Sequence, residues 1–130
     1  MTVVLRIHGP ELDVTRVRAL IPAARVEHEW RRGEAGRLDR TMTTSGLSML
    51  LSQEDTDGAS MREATSALDE LLPRIAEFLG DGVVAELDIA LHVGPERPRS
   101  LVLDGALLQR ALTYDLRVVA TAYPTAEEAE

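Results

Sequence analysis

The sequence contains no cysteine, lysine or asparagine, and these absences narrow what the protein can be. Without cysteine it has no disulfide, no thiolate nucleophile and no sulfur-ligated metal. All 14 basic residues are arginine, a bias that is typical of GC-rich bacterial genomes. We therefore expect a bacterial protein whose function does not depend on sulfur chemistry.

Aromatic residues and long apolar runs are also scarce. The chain has one tryptophan, two tyrosines and one phenylalanine, too few for both a core and a platform that stacks nucleic-acid bases. No apolar run approaches the ~20 residues that cross a bilayer, and the first residues lack the pattern of a signal peptide. These absences predict a cytoplasmic protein that binds neither nucleic acid nor membrane.

The charge balance is acidic, with 22 acidic residues, 14 basic residues and a net charge of −8. Such a surface repels phosphate backbones and attracts basic proteins. The length of 130 residues is the usual size of one domain. We expect residues 1–124 to form a single α+β domain and residues 125–130 to form an acidic flexible tail.

The spacing of apolar residues predicts the secondary structure. Strands are predicted at residues 2–8, 25–31, 40–51, 84–93 and about 116–123. Helices are predicted near residues 13–21, 60–79 and 104–114. Because alternating strands need one buried face and the helices carry apolar stripes, we expect one mixed or antiparallel sheet with three helices on one face. The order of the elements suggests a ferredoxin-like core extended by a last helix and strand.

The central helix has the clearest local signals. Ser60 and Glu63 have the spacing of a capping box, which predicts that the helix begins at Ser60. Pro73 is expected to bend or split it. The apolar stripe of this helix consists of Ala64, Leu68, Leu71, Leu72, Ile75 and Leu79. Asp104 is predicted to cap the last helix, whose apolar residues are Leu107, Leu108, Ala111 and Leu112.

Motifs that carry chemistry are missing from the sequence. It has no nucleotide-binding glycine loop and no serine-hydrolase elbow. Its three histidines, His8, His28 and His92, lie on predicted strands without the short spacing that marks a metal site. We therefore predict no metal, no other cofactor and no catalytic residue.

Two carboxylates, Glu86 and Asp88, share the outward face of one predicted strand. Their side chains lie about 7 Å apart. Acid–base catalysis needs a cleft that separates the pKa values of such a pair, which an exposed strand does not provide. Next to Arg6 or Arg117, the pair is expected to form cross-strand ion pairs.

Residues 30–34 place the only tryptophan beside two arginines where a strand meets a loop. Tryptophan and arginine are enriched at the anchor positions of protein interfaces. In the alternative, which we favour, Trp30 belongs to the core and the arginines cover its edge. If a partner binds, the candidate site consists of Trp30, Arg31, Arg32 and Glu34, together with Glu86 and Asp88.

The leading hypothesis for function is a non-catalytic protein-binding domain, conceivably of the immunity-protein or antitoxin type. Small size, acidic balance and the lack of catalytic motifs favour it. The partner is either a basic protein or a second copy of the chain. In a homodimer, Arg31 and Arg32 of one copy would meet Glu86 or Asp88 of the other.

A second hypothesis is a small-ligand-binding protein or minor enzyme. Its site would be a groove between the sheet and the helices. The polar residues proposed for such a groove are Arg6, His8 and His92. A closed polar pocket around these three side chains would distinguish this function from protein binding.

Several segments of the chain resemble one bacterial family. They are residues 5–9 followed by Leu12 and Asp13, residues 30–34, residues 44–48, and the helix capped by Asp104 with a strand ending at Ala122 and Tyr123. Over residues 2–124 the chain is similar to the family called domain of unknown function 4279, with Leu47 where a second tryptophan is expected. The resemblance implies a small α+β fold and brings no catalytic residues.

Overall fold

One five-stranded sheet carries three helices on one face, which confirms the predicted α+β fold. The structure is a computed structural model that describes residues 1–36, 38, 40–94 and 98–124, so the predicted tail lies outside the described residues. The strands are β1 (Thr2–Gly9), β2 (Val26–Trp30), β3 (Ser45–Gln53), β4 (Val84–Val93) and β5 (Arg117–Pro124). The α-helices are α1 (Val14–Ala19), α2 (Asp57–Ile75) and α3 (Gly105–Thr113).

The strands lie in the order β2-β3-β1-β4-β5. The pairs β2–β3, β3–β1 and β1–β4 are antiparallel, whereas β5 runs parallel to β4. A parallel pair needs a long crossover connection, which α3 supplies. Up to β4 the elements follow the predicted strand-helix-strand-strand-helix-strand order, and the finer assignment to a ferredoxin-like core stays a prediction.

The core lies between the sheet and the helices. Every second residue of β1 and of β4 is buried there, as the alternation predicts: Val3, Leu5, Ile7, Ala85, Leu87, Ile89 and Leu91. The apolar stripe of α2 covers them, and Leu68, Leu71, Leu72 and Ile75 are fully buried. Removing this apolar area from water is the main contribution to stability. No helix in the described ranges is both long and apolar enough to cross a membrane.

The start of α2 differs from the prediction. The helix begins at Asp57, and the hydroxyl of Thr56 caps it by accepting a hydrogen bond from the Ala59 N–H at 3.2 Å. The prediction that Ser60 and Glu63 form a capping box at the start of the helix is therefore wrong. Thr56 is itself a good cap residue, and Asp57 places a negative charge in the first turn, where the helix dipole favours it.

Ser60 ties α2 to the start of the chain instead. Its fully buried hydroxyl donates to the carbonyl of Met1 at 2.8 Å and accepts from the Glu54 N–H at 3.0 Å. We expect Ser60→Ala to lower the free energy of unfolding by about 1–3 kcal/mol, because both backbone groups lose their partner. Ser66→Ala, an exposed change on the same helix, should leave it within about 0.5 kcal/mol in urea unfolding. Equal effects of the two changes would contradict the role of Ser60.

Pro73 does not split the central helix. α2 continues to Ile75 and is followed directly by a 3₁₀ turn at Ala76–Phe78. A proline removes one backbone hydrogen bond from the helix. Burial of Leu71, Leu72 and Ile75 around it holds the last turn in place despite this loss.

The last helix buries fewer residues than predicted. The carboxylate of Asp104 caps it as expected, accepting from a first-turn N–H at 3.0 Å. Leu107 and Ala111 are buried, but Leu108 and Leu112 are exposed. α3 packs against α2, so the opposite side of α3 has no helix beside it in the described part of the chain.

Candidate functional site

The sheet has a second face, on which no helix of the described ranges packs. On β1 and β4 this face consists of the residues that alternate with the core residues. On β2, β3 and β5 it consists of the residues paired with them in the sheet. We call it the helix-free face. Its polar and aromatic members are Arg6, His8, His28, Trp30, Ser48, Glu86, Asp88, His92, Arg117 and Tyr123.

An ion-pair network occupies the centre of this face. Arg6 lies opposite Glu86, and Glu86 lies opposite Arg117, so the three side chains form one row across β1, β4 and β5. Arg6 Nη1 donates to Asp88 Oδ2 and lies 3.9 Å from Glu86 Oε2. Arg117 Nη1 lies 3.3 Å from Glu86 Oε1. The predicted ion pairs of the two carboxylates with these arginines are confirmed.

The network is partly shielded from water. The side chains of Glu86 and Asp88 are 17% and 23% exposed. Burial raises the pKa of Asp88, the charge of Arg6 opposes this, and the nearby Glu86 raises the pKa further. A depression of about 470 Å³ lies beside the network and also borders Tyr123. Two carboxylates and the two arginines paired with them therefore line one shallow depression on the helix-free face.

The raised pKa of Asp88 predicts a pH dependence of stability. A carboxyl whose pKa is higher in the folded than in the unfolded state contributes most at low pH, and this contribution is lost as the pH rises through the folded pKa. We therefore expect the stability of the wild type relative to Asp88→Asn to increase as the pH falls from about 7 to about 4. Urea unfolding of both proteins at several pH values measures this. A difference that is constant or decreases over this range would contradict the raised pKa.

Trp30 lies at one end of the helix-free face and outside the core. The favoured core interpretation is therefore wrong. Trp30 is paired with Gly46, and its Cζ2 lies 2.5 Å from where a Cβ on that glycine would be, so the ring rests on bare backbone. Its Nε1 donates to Thr44 Oγ1 at 3.4 Å. Trp30 is half-buried, so part of the residue is accessible to solvent.

The rest of the 30–34 cluster does not join Trp30 on this face. Arg31 Nη2 donates to the hydroxyl of Thr15 on α1 at 3.2 Å, on the helix side of the sheet. Arg32 and Glu34 are exposed in the loop after β2. Trp30 is therefore the member of the cluster that shares a face with the two carboxylates of β4.

These positions bear on the homodimer contact that the sequence suggests. Glu86 and Asp88 already pair with arginines of their own chain. Arg31 is bound on the other side of the sheet. A contact of Arg31 and Arg32 with these carboxylates would exchange one set of ion pairs for another, with little gain in free energy.

The proposed histidine pocket is not assembled. β1 and β4 are neighbours but antiparallel, so His8 lies near Val84, and His92 lies about 26 Å further along β4. The ring of His92 is instead 6.3 Å from that of Tyr123. Arg6 and His8 face away from the helices, so neither lines a groove between helices and sheet. In the described part of the chain, no group of three or more His, Cys, Asp or Glu residues is placed to hold a metal ion.

A groove between the helices and the sheet does exist, but other residues line it. It measures about 520 Å³ and is bounded by β3, α2 and the 3₁₀ turn at Ala23–Arg25. Arg25 Nη1 donates to two carbonyls of β3 at 3.2 and 3.3 Å, and Arg25 Nη2 lies 3.9 Å from Glu70. Ser52 lines the groove, and its buried hydroxyl has no hydrogen-bond partner among the described residues.

Sequence reasoning did not include four residues of the helix-free face among the candidate site residues: His28, Gly46, Ser48 and Tyr123. Their faces follow from the residues opposite them on the neighbouring strands, once the strand order and register are known. The order itself has no local signal, because β2 is separated from β1 by β3, and β5 joins the sheet beyond β4.

Comparison with known proteins adds no relative. No family model matches the chain, and the searches of curated proteins and of solved structures give no match either. The class of the protein is therefore defined by its own fold and face: an α+β domain with one mixed sheet, helices on one side and the helix-free face on the other.

Proposed function

We propose that this chain is a non-catalytic protein-binding domain that contacts its partner through the helix-free face. The observation that carries the proposal is the position of Trp30, which lies half-buried on the same uncovered face as the network of Arg6 and Glu86. Tryptophan and arginine supply much of the binding energy at protein interfaces. The charged groups of the face balance one another, so a partner does not leave an unpaired charge buried.

The partner that fits best is a basic protein. The net charge of −8 attracts a positively charged surface over long range and accelerates association. A domain that binds and masks a basic protein in this way is of the immunity-protein or antitoxin type. Membership in the family called domain of unknown function 4279 is part of this proposal.

Pull-down with matched variants tests the proposal. Wild type, Trp30→Ala and Leu20→Ala serve as baits in one bacterial lysate. Leu20 is the C-cap residue of α1, on the helix side of the sheet. Proteins retained by wild type and Leu20→Ala but lost with Trp30→Ala are then purified and titrated by calorimetry. We expect Trp30→Ala to raise the dissociation constant at least about ten-fold, which corresponds to about 1.4 kcal/mol of binding free energy. Added salt should weaken binding further, because it screens the attraction between the acidic chain and its basic partner. A purified partner that binds both variants as tightly as wild type would place the interface elsewhere.

A second candidate function is small-ligand binding in the groove beside Ser52. The unpartnered hydroxyl of Ser52 favours it, because a buried polar group is normally hydrogen-bonded to protein, water or ligand. Arg25 and Glu70 supply charged groups at the same groove. A ligand with both a donor and an acceptor would suit this lining.

Ser52→Ala tests this second candidate. If the groove stays without a ligand, the change is expected to stabilise the protein by about 1 kcal/mol, because it removes an unpaired buried hydroxyl. If the hydroxyl binds a retained small molecule, Ser52→Ala destabilises the protein instead. Thermal unfolding before and after extensive dialysis separates the two outcomes.

A further inference from the structure

The two edge strands of the sheet differ in how well they are protected against pairing with a strand of another chain. The β2 edge is short and carries the exposed charges of Glu27 and Glu29, which oppose pairing with another strand. The β5 edge is eight residues long, and Arg117 is its one charged residue. Seven residues of β5 are exposed. No element of the described ranges pairs with its outer side, so β5 is the unprotected edge of this sheet.

Exposed leucines lie on α3, the helix that precedes β5. Arg110 of α3 points to α2, where it binds both carboxylate oxygens of Asp69 at 2.9 and 3.2 Å. Leu108 and Leu112 lie two residues from Arg110, about 200° around the helix, and so point away from α2. Since α2 lies over β3 and β1, that direction leads towards β5. Leu112 is 85% exposed there.

The occupant that these observations favour is a second copy of the chain. An open strand edge pairs with another open edge, and each copy offers the same one. In antiparallel pairing, residues directly opposite point to the same face. Pairing about a two-fold axis through Ala120 therefore places Val118 opposite Ala122 on the helix side. On the helix-free face it places Arg117 opposite Tyr123, a pair suited to cation–π contact.

We propose that two copies associate through β5 and form one continuous ten-stranded sheet. Small side chains at Ala120 and Ala122 leave room above the seam for the leucines of α3 from both copies. The same symmetry extends the helix-free face across the dimer and leaves Trp30 at its two far ends. The dimer thus offers two copies of the proposed partner-binding face without using Trp30 as a dimer contact.

Charge makes this association distinguishable from binding of a basic partner. Two chains with a net charge of −8 repel each other, while the seam itself has few charged residues. Added salt screens the repulsion and therefore strengthens dimerisation, whereas it weakens the complex with a basic partner. Failure of one proposal therefore leaves the other open to its own test.

Sedimentation equilibrium of two opposite-charge variants tests the dimer. Wild type is expected to sediment with twice the mass of one chain. Ala120→Lys and Ala120→Glu should each weaken dimerisation at least about ten-fold, because like charges meet at the axis. An equimolar mixture of the two should recover the dimer mass. Ala19→Lys is the matched control. It places the same charge at an exposed position of α1, and this variant should remain dimeric.

Other outcomes would overturn the proposal. Wild type that stays monomeric at high protein concentration, or variants that dimerise as wild type does, would exclude this interface. If Ala120→Lys unfolds the monomer in circular dichroism, Leu112→Arg replaces it. Leu112 is 85% exposed, so its substitution should preserve the far-ultraviolet spectrum of the folded chain. It should still weaken the dimer, because it places a charge among the leucines at the seam. An unchanged dimer in Leu112→Arg would likewise contradict the proposal.

Discussion

Leu71→Ala is expected to lower the free energy of unfolding by about 2–5 kcal/mol. Leu71 is 0% exposed and belongs to the stripe of α2 that covers the sheet. The substitution removes buried apolar atoms and leaves a cavity that close-packed neighbours fill only in part. A domain of this size has a total stability of about 5–15 kcal/mol, so a large share would be lost. Urea unfolding by circular dichroism measures the change.

Matched substitutions make this result specific. Ile75 is also fully buried in the same stripe, so Ile75→Ala should lower the free energy of unfolding by an amount in the same range. Leu38→Ala makes the same chemical change as Leu71→Ala at a position that is 87% exposed, and should stay within about 0.5 kcal/mol of wild type. If both buried substitutions leave the unfolding curve unchanged, α2 does not form the cover of the core.

Gly46→Ala is expected to destabilise the fold by about 1–3 kcal/mol and to displace Trp30. A methyl group at this position would lie 2.5 Å from Trp30 Cζ2, 2.6 Å from the carbonyl oxygen of Ile7 and 2.7 Å from His8 Cβ. The indole can swing outwards, but the backbone carbonyl of the central strand cannot move without disturbing its pairing. We therefore expect both a lower unfolding free energy and a red shift of the fluorescence of the single tryptophan.

Gly105→Ala is the control for this change. A Cβ at Gly105 meets no heavy atom within 4 Å, and the residue begins α3. There the same substitution should be neutral or stabilise by about 0.4–1 kcal/mol, with unchanged fluorescence. A Gly46→Ala protein with wild-type stability and wild-type emission would mean that Trp30 does not rest on this glycine. Under the proposed function, Gly46→Ala should also weaken partner binding, because the anchor is displaced.

Alternation within single strands predicted more of the site than any motif did. The spacing of Glu86 and Asp88 placed both on the outward face of one strand, and the nearness of Arg6 and Arg117 to them is confirmed. The core assignment of Trp30 rested on its residue type, and alternation along β2 also grouped it with Val26. A register shift between Val26 and His28 separates them, so Val26 packs against the core and Trp30 lies on the helix-free face. A tryptophan in a chain with few aromatic residues is expected in the core. Gly46 on the neighbouring strand has no side chain, however, so the ring of Trp30 packs over its backbone outside the core.

Helix boundaries show where local signals compete. Ser60 and Thr56 are both good cap residues, and local sequence does not rank them. The contact of the Ser60 hydroxyl with Met1, fifty-nine positions away, shows which of them lies inside the helix. Likewise, Leu108 and Leu112 fit an apolar stripe, yet no second helix lies over them in the described ranges.

The sequence by itself determined which elements form and, for β1, β4 and α2, which side is buried, because residue spacing along a strand or helix fixes which side chains share a face. Tertiary structure alone decided that β1 is the central strand and that β5 lies outside β4. Strand order depends on long-range pairing, which leaves no periodic trace in the chain. For that reason Trp30, Arg6 and Glu86 belong to one face only once the sheet is assembled, and the unprotected edge at β5 is likewise a property of the folded sheet.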